Sequence, residues 1–272
     1  MNPVRALVLL VVATTVAAQD FSSFEKILVP VLNPSQPILG ANGSRFDSKF
    51  GVLTTAPVAY YPAPGDPPAI GRGEGLLFPL WEAPVIAKGR FLFFEKGAAE
   101  APMFASLSSV DPAGNRAVTP LPIVRERDAR TGVSVFGFLH NEVIYGPPSA
   151  NHPTFAGHRQ RHTLRVYDFD STGNLEVNVR LRWAQWLSQG VIAERRVAVN
   201  TRDFDHITYP FYAELNLEQT FGSRWCFPDV YGGCQTFDAI VEVEPTSPAA
   251  RYYAFISTTD NDTNHVVIHT AR

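Results

Sequence analysis

Proline and glycine divide this chain into short segments, which limits the secondary structure that it can form. The 272 residues include 22 prolines and 19 glycines, and both are dense in the stretch YYPAPGDPPAIGRGEG at 60–75. Neither a helix nor a central strand tolerates so much proline, because each proline lacks a backbone donor and restricts the backbone. Long runs of alanine, leucine, glutamate and lysine with helical spacing are missing. The composition therefore favours an all-β protein.

Strand-like segments recur between these turns, a pattern typical of sandwiches rather than of alternating strands and helices. In LEVNVRLRW at 175–183, every second residue is apolar, which places those residues on one face of a strand. The segment 162–168 alternates in the same way, and the intervening DFDSTGN has the composition of a turn. We therefore predict that these two strands form a hairpin. The other predicted strands are 24–32, 45–55, 89–95, 103–108, 133–139, 193–200, 211–217, 237–244, 252–258 and 265–270.

The amino terminus has the three parts of a secretory signal peptide. Arg5 precedes the apolar run ALVLLVVA at 6–13, and small residues at 16–18 precede the polar Gln19. The apolar run is too short for the ~30 Å hydrocarbon layer, which needs roughly 20 apolar residues. We predict cleavage after Ala18, no membrane span in the mature chain, and a secreted or periplasmic location.

The charge of the mature chain argues against one class of partner. Without Arg5, 22 basic residues remain against 26 acidic ones, which is a formal charge of −4. No surplus of basic side chains is available to neutralise phosphates. Nucleic acid is therefore not an expected partner.

The two cysteines, Cys226 and Cys234, lie in the segment WCFPDVYGGC. In an oxidising compartment, two cysteines separated by a short loop with proline and glycine most simply form a local disulfide. The alternative is a metal site, although two thiolates without a nearby histidine supply only half of the ligands that zinc takes.

The length of the mature chain suits one large or two small domains. The segments RFDSKFGVLTT and RQRHTLRVYDFD open each half similarly, with basic and hydroxyl residues leading into a strand. We interpret the chain as two tandem β-sandwich modules, 19–128 and 129–272. The charged stretch RERDART at 125–131 suits an exposed linker or edge between them. One continuous sandwich is the alternative.

Four segments carry a resemblance to a known group of proteins. They are NGSRFDSKFGVL, PIVRERDARTG, LRVYDFDSTGNLEVNVRL and YYAFISTTDNDTNHVVIHT. Together they resemble a group of secreted bacterial proteins of unknown function, common in acidobacteria-like genomes. The resemblance implies tandem immunoglobulin-like sandwich modules and an extracytoplasmic location, and it implies no catalytic residue.

Two acidic turns contain the oxygen ligands that calcium prefers. One contains Asp168, Asp170 and Asn174, and the other is DNDTN at 260–264. Glu176 follows the first turn too early to close an EF-hand loop. The same residues are typical of an ordinary tight turn, which we favour, with calcium as the alternative.

Several histidines lie close together in the sequence, among them His140, His152, His158 and His162. The spacing of the last two suits a metal site on a helix, but the flanking segments are not helical. A strand that starts near His162 would direct the pair apart, and nearby arginines would repel a cation. We therefore predict a solvated polar loop.

Aromatic residues supply the candidate binding residues. Trp183 falls in the apolar register of its strand and is predicted to be buried, whereas Trp186 and Trp225 lie in turn-like segments that favour exposure. Together with Tyr231, the last two are the predicted ligand-binding residues, because rigid rings contribute contact area at little entropic cost.

No catalytic residue and no cofactor are predicted. The chain has no G-x-S-x-G segment, and the two cysteines are assigned to a disulfide. The favoured function is a non-enzymatic extracytoplasmic β-sandwich protein that serves in binding, adhesion or surface structure, with an extracellular protein or glycan as partner. The alternative is an extracellular polysaccharide hydrolase or a carbohydrate-binding accessory module. A cleft with two close carboxylates and aromatic residues would favour that alternative.

Overall fold

The chain is built mainly from antiparallel β-strands, as its composition predicts. The structure, a computed structural model, describes residues 24–30, 38–39, 43–52, 58–61, 69–71, 88–96, 103–149, 152–203, 209–228 and 233–272. The predicted leader at 1–18 lies outside these ranges. Within them, no helix has the length and hydropathy needed to cross a membrane.

Most of the longer strands coincide with predicted segments, and β14 has the predicted bounds at both ends. In chain order the strands are β1 (Phe24–Val29), β2 (Ile38–Leu39), β3 (Arg45–Val52), β4 (Val58–Tyr61), β5 (Ala69–Gly71), β6 (Arg90–Glu95), β7 (Met103–Val110), β8 (Arg116–Leu121), β9 (Val124–Arg125), β10 (Ser134–Asn141), β11 (Val143–Ser149), β12 (His152–His158), β13 (Gln160–Asp168), β14 (Leu175–Trp183), β15 (Ala193–Val199), β16 (Phe211–Asn216), β17 (Phe227–Pro228), β18 (Cys234–Gln235), β19 (Phe237–Pro245), β20 (Tyr252–Asp260) and β21 (Val266–Thr270). Among the longer strands, β8, β11 and β12 were not predicted. Among the described residues, the helical segments are α1 (Leu217–Phe221) and the 3₁₀ turns Glu126–Asp128, Ala184–Gln189 and Gly222–Arg224.

Two four-stranded antiparallel sheets share the largest hydrophobic cluster. Sheet I has the strand order β16-β13-β20-β21, and sheet II has the order β10-β19-β14-β15. Leu164 and Val166 of sheet I and Val177, Val179 and Val241 of sheet II are fully buried members of this cluster. The core of the carboxy-terminal half therefore lies between sheets I and II.

The predicted hairpin of 162–168 with 175–183 is wrong. Strand β13 pairs with β16 and β20 in sheet I, whereas β14 pairs with β15 and β19 in sheet II. The turn between them therefore crosses from one sheet to the other. Alternation identifies the apolar face of each strand but not its neighbour. These two strands bury their apolar faces against each other across the core rather than side by side in one sheet.

Sheet I is covered on both faces. Its second face packs against sheet III, which has the strand order β5-β4-β6-β1-β9. Leu28 and Phe91 of sheet III form a buried cluster with Tyr167 and Phe255 of sheet I. Strand β13 therefore contributes alternate side chains to two cores, and residues on either side of the predicted 128/129 module boundary share one of them.

Polar contacts reinforce the packing of sheet III on sheet I. The buried Tyr167 hydroxyl lies 2.6 Å from the carbonyl oxygen of Lys88 and also contacts the carbonyl of Pro30. Arg251 bonds to Glu126 at 3.1 Å and to Asp170 at 2.6 Å. These contacts join segments that are distant in the sequence. The two-module division itself stays a prediction.

The remaining strands form smaller or peripheral sheets. A fourth sheet has the order β2-β3-β7-β8, and the pairs β11-β12 and β17-β18 form two-stranded sheets. Strand β8 lies against β21, where the Thr119 hydroxyl donates a hydrogen bond to the carbonyl of Val266.

Candidate functional site

A groove of about 890 Å³ opens beside the core of sheets I and II, where β14, β16 and the loop after α1 end. Its described lining combines two indole rings and a cysteine pair with amide, hydroxyl, carboxylate and guanidinium groups. The lining residues are His158, Trp183, Asn216, Glu218, Gln219, Gly222, Ser223, Arg224, Trp225, Cys226, Pro228, Gly233 and Cys234.

Helix α1 and the turn after it form one wall of the groove. The Asn216 side chain accepts a hydrogen bond from the backbone amide of Gln219 at 2.9 Å and so caps the helix. Leu217 and Phe221 are buried and hold the helix on the core. Gly222 follows at φ +56°, a left-handed conformation that favours glycine, and the chain turns there. The exposed side chains of Glu218 and its neighbours are thereby presented at the rim.

Cys226 and Cys234 lie at disulfide distance, as predicted, with their Cα atoms 5.3 Å apart. Both cysteines line the groove. No group of three or more potential metal ligands occurs in the part of the chain that the structure describes. The pair joins the two sides of a short loop and thus limits the movement of the groove wall.

We expect thiol titration of the denatured, unreduced secreted protein to detect essentially no free thiol. Replacement of both cysteines by serine is expected to lower the free energy of unfolding by ~2–3 kcal/mol, because the eight-residue separation closes a short loop. Urea unfolding of the oxidised wild type and the double variant measures the loss. Two reactive thiols per chain in the untreated protein would contradict the disulfide.

The two tryptophans that line the groove belong mainly to the core behind it. Trp225 stacks on Phe221 with ring centroids 6.2 Å apart and contacts Phe237 edge to face at 5.7 Å. Trp225 is 1% exposed, so its predicted exposure is wrong. A turn-like sequence predicts only the conformation of the backbone. The backbone of Trp225 lies in a turn, but its indole packs into the end of the core. The burial predicted for Trp183 is confirmed at 6% exposed.

Trp186 is 40% exposed, as its position in the sequence predicts, but it does not line the groove. Its ring packs on Phe227 at 4.6 Å and on Trp183 at 5.9 Å, and so lies one ring away from the groove. Tyr231, the third predicted binding residue, lies outside the described residues. The structure thus brings Trp225 to the groove and places Trp186 beside it.

The prediction of a solvated polar loop around His140, His152, His158 and His162 is wrong, because β11 and β12 run through this segment and the side chains of His158 and His162 are buried at 8% and 2% exposed. His158 lines the groove, and the His162 ring lies behind Trp225 at 5.4 Å between ring centroids. Burial lowers the pKa of His162 to about 3, and nearby His269 acts in the same direction. Burial likewise lowers the pKa of His158. Both imidazoles are therefore neutral at pH 7.

Two side chains near this end of the core carry buried polar atoms without a hydrogen-bond partner. They are Asn141, at both of its side-chain polar atoms, and Trp183, at Nε1. Such atoms are rare in folded proteins and are often found at functional positions. Asn141 had no sequence signal, because it continues the predicted strand 133–139 as an ordinary polar residue.

A smaller cleft of about 280 Å³ lies between β10 and the β20-β21 pair. Phe138 lines it at 67% exposed and has φ +55°, an unusual conformation for a bulky residue. His140 and His269 also line it, and their partners are Asp238 at 3.0 Å and Thr258 at 2.9 Å.

The carboxylates of the acidic turn after β13 bind partners within the protein. The Asp168 carboxylate accepts hydrogen bonds from the backbone amides of Asp170, Thr172 and Gly173. Asp170 is paired with Arg251. In Asn174, the backbone amide donates to the Thr172 hydroxyl at 3.2 Å. These contacts fit an ordinary turn, and the calcium alternative stays a prediction.

Comparison with protein-family models, with curated proteins and with solved structures finds no match to this chain.

Proposed function

We propose that this chain is a non-enzymatic extracytoplasmic binding protein, formed by two tandem immunoglobulin-like β-sandwich modules, that holds its ligand in the groove beside Trp183 and Trp225. The observation that carries this proposal is the groove itself, whose lining combines the Cys226–Cys234 pair and the edges of two tryptophans with charged and polar side chains. Its volume of about 890 Å³ falls within the range of about 300–1,000 Å³ typical of small-ligand sites.

The chemistry of the lining favours binding over hydrolysis. Glycoside hydrolysis takes a pair of carboxylates about 5–10 Å apart. Among the described residues that line the groove, Glu218 is the single carboxylate. A nucleophilic mechanism needs a serine or cysteine activated by a base, and both cysteines of the lining belong to the disulfide. The lining thus resembles a recognition surface more than a reaction centre.

The cysteine pair also supports the extracytoplasmic part of the proposal. Disulfides persist in oxidising compartments and are rare in reducing ones. The signal peptide predicted at 1–18 agrees with that location. The resemblance to secreted bacterial proteins adds the two-module architecture, and the partner is then an extracellular protein or glycan.

A thermal-shift screen of the secreted chain tests the binding function. The panel contains oligosaccharides, short peptides, fatty acids and nucleotides, and each compound is also analysed for turnover. A ligand at 100 times its Kd is expected to raise Tm by about 5–10 °C, because it binds only the folded state. We expect at least one class to do so without being converted.

A variant that fills the groove supplies the control. Ser223 is exposed and lines the groove, so Ser223→Trp is expected to abolish the ligand-dependent shift while it leaves the Tm of the free protein unchanged. Arg195→Trp places the same bulk on the exposed part of β15 and is expected to keep the shift. A shift that survives in Ser223→Trp, or a panel without any shift, would overturn the binding site. Conversion of a compound would favour the hydrolase alternative.

A further inference from the structure

Two projections extend from the end of sheets I and II at which β10 and β14 finish. The first is the β11-β12 ribbon, whose strands pair only with each other among the described residues. The second is the loop 184–192 between β14 and β15. The start of β19 contacts both projections. The Val143 amide donates to the Thr236 hydroxyl at 3.2 Å, and the Asp238 amide donates to the Gln185 side chain at 3.3 Å. The ribbon and the loop are therefore neighbours.

Both projections expose large apolar side chains. Each of the following is between 40% and 58% exposed: Ile144 and Tyr145 on the ribbon, and Trp186, Leu187 and Val191 on the loop. Contacts with the body of the protein hold two of them in place. The Trp186 ring packs on Phe227, and the Tyr145 hydroxyl donates to the carbonyl of Cys234 at 3.1 Å. The apolar surface is therefore a fixed feature of this end of the molecule.

The two projections contain no ionic side chains. Residues 143–158 include no lysine, arginine, aspartate or glutamate, and neither do residues 183–193. Arg182 and Glu194, which flank the loop, are held in ion pairs within sheet II. The cysteine loop between the projections adds one carboxylate, Asp229, which lies outside the described residues. Transfer of the projections into an apolar environment therefore requires no desolvation of a charge on either of them.

These features favour a lipid surface over a second protein. A stable protein interface buries about 800 Å² per partner in one complementary patch, whereas these side chains are divided between two separate projections. A bilayer can deform around each projection. Tryptophan and tyrosine are enriched at the membrane interface, because their rings are apolar with a polar group at one edge. Without basic side chains, the projections match zwitterionic rather than anionic headgroups.

We propose that this end of the molecule docks on a zwitterionic lipid surface, where the loop 184–192 and the β11-β12 ribbon insert their apolar side chains among the headgroups. The chain then lies on the membrane without crossing it. This inference goes beyond ligand binding in the groove and does not depend on it.

Flotation of the full secreted chain with phosphatidylcholine vesicles tests the docking. We expect the wild type to float with the vesicles and Leu187→Asp to weaken its partition about tenfold, because a charge then enters the interface. Ile144→Asp is expected to weaken the partition in the same direction. Val118→Asp is the matched control. Val118 is 58% exposed, as is Leu187, but it lies on β8, so its replacement adds the same charge and should keep the partition within about twofold.

Fluorescence quenching by brominated phosphatidylcholine reports which side chain inserts. Trp186 is the exposed tryptophan among the described residues, since Trp183 and Trp225 are buried. We expect the vesicles to quench the wild type and Trp186→Phe to lose much of the quenching while it still floats.

Three results would overturn the lipid surface. One is a wild type that does not float, and another is equal flotation of wild type and Leu187→Asp. The third is flotation only with phosphatidylglycerol vesicles that is abolished by salt, because charge rather than apolar insertion then causes adsorption. A dimer in sedimentation velocity that Leu187→Asp dissociates would assign the surface to a second copy of the chain and would also overturn the proposal.

Discussion

Replacement of His162 by leucine is expected to remove much of the acid sensitivity of folding. The folded-state pKa of His162 lies near 3, against 6.5 for an exposed histidine, because burial disfavours the imidazolium. The unfolded chain therefore binds a proton as the pH falls below about 6.5, whereas the folded chain does not. Stability is highest above that pH and is lost between about pH 6.5 and 3.

The size of this effect follows from the difference in pKa. One such histidine is expected to lower the free energy of unfolding by about 2 kcal/mol between neutral pH and pH 5, and by about 4 kcal/mol by pH 3. His158 and His269 add losses in the same direction, since burial also lowers the pKa of each. At pH 7, where the imidazole is neutral, leucine keeps an apolar side chain of similar size in this buried position, and the variant should be about as stable as wild type.

Urea unfolding at intervals from pH 7 to 4.5 measures this prediction. The His162→Leu variant should show a markedly shallower fall of the free energy of unfolding with pH than wild type. His265→Gln changes an exposed histidine and is expected to keep the wild-type profile. If both variants follow the wild-type slope, groups other than His162 cause the loss of stability in acid.

Replacement of Phe255 by alanine is expected to cost about 3–5 kcal/mol, a large part of the stability of a typical domain. Phe255 is fully buried in the cluster shared by sheets I and III, and its ring stacks on that of Tyr167 with centroids 6.2 Å apart. Its truncation opens a cavity between segments from the two predicted modules. We expect the whole chain to unfold at lower urea, because both sheets lose packing at this cluster.

Fluorescence and far-UV circular dichroism, recorded during urea unfolding, measure the loss and its cooperativity. Phe138→Ala is the matched control, since Phe138 is 67% exposed, and a change within about 0.5 kcal/mol is expected. Limited proteolysis near 125–131 reports on the linker in the same samples. A Phe255→Ala variant as stable as wild type would show that the shared cluster does not couple the two halves.

The identity of most long strands could be predicted from the sequence. In β14 and β19, every second residue is apolar and buried, so each strand has one buried face. This pattern can be detected in the sequence whichever strands are the neighbours in the sheet. The short strands β2, β9, β17 and β18 have two residues each, too few for a period to be detected. The cysteine pair was also predictable, since its loop is short and its chemistry depends on compartment rather than on distant contacts.

The candidate site was only partly predictable. Trp225 could be selected as a binding residue because of its type, but its burial beside the groove depends on contacts with Phe221 and Phe237. Glu218 and Arg224 carry no signal that separates them from other surface charges. They reach the same rim because α1 and the following turn bring them beside the cysteine loop.

By itself, the sequence determined the all-β class, the extent of most long strands and the local disulfide, because each depends on neighbouring residues. Only the tertiary structure decided which strands pair: β13 and β14 are consecutive, yet they lie in different sheets and face each other across the core. The burial of His158 and His162 was decided in the same way. Alternation within a strand shows that one of its faces is apolar. The strands that pack on that face come from distant parts of the chain, and the pairing preferences of individual residues are too weak to specify them.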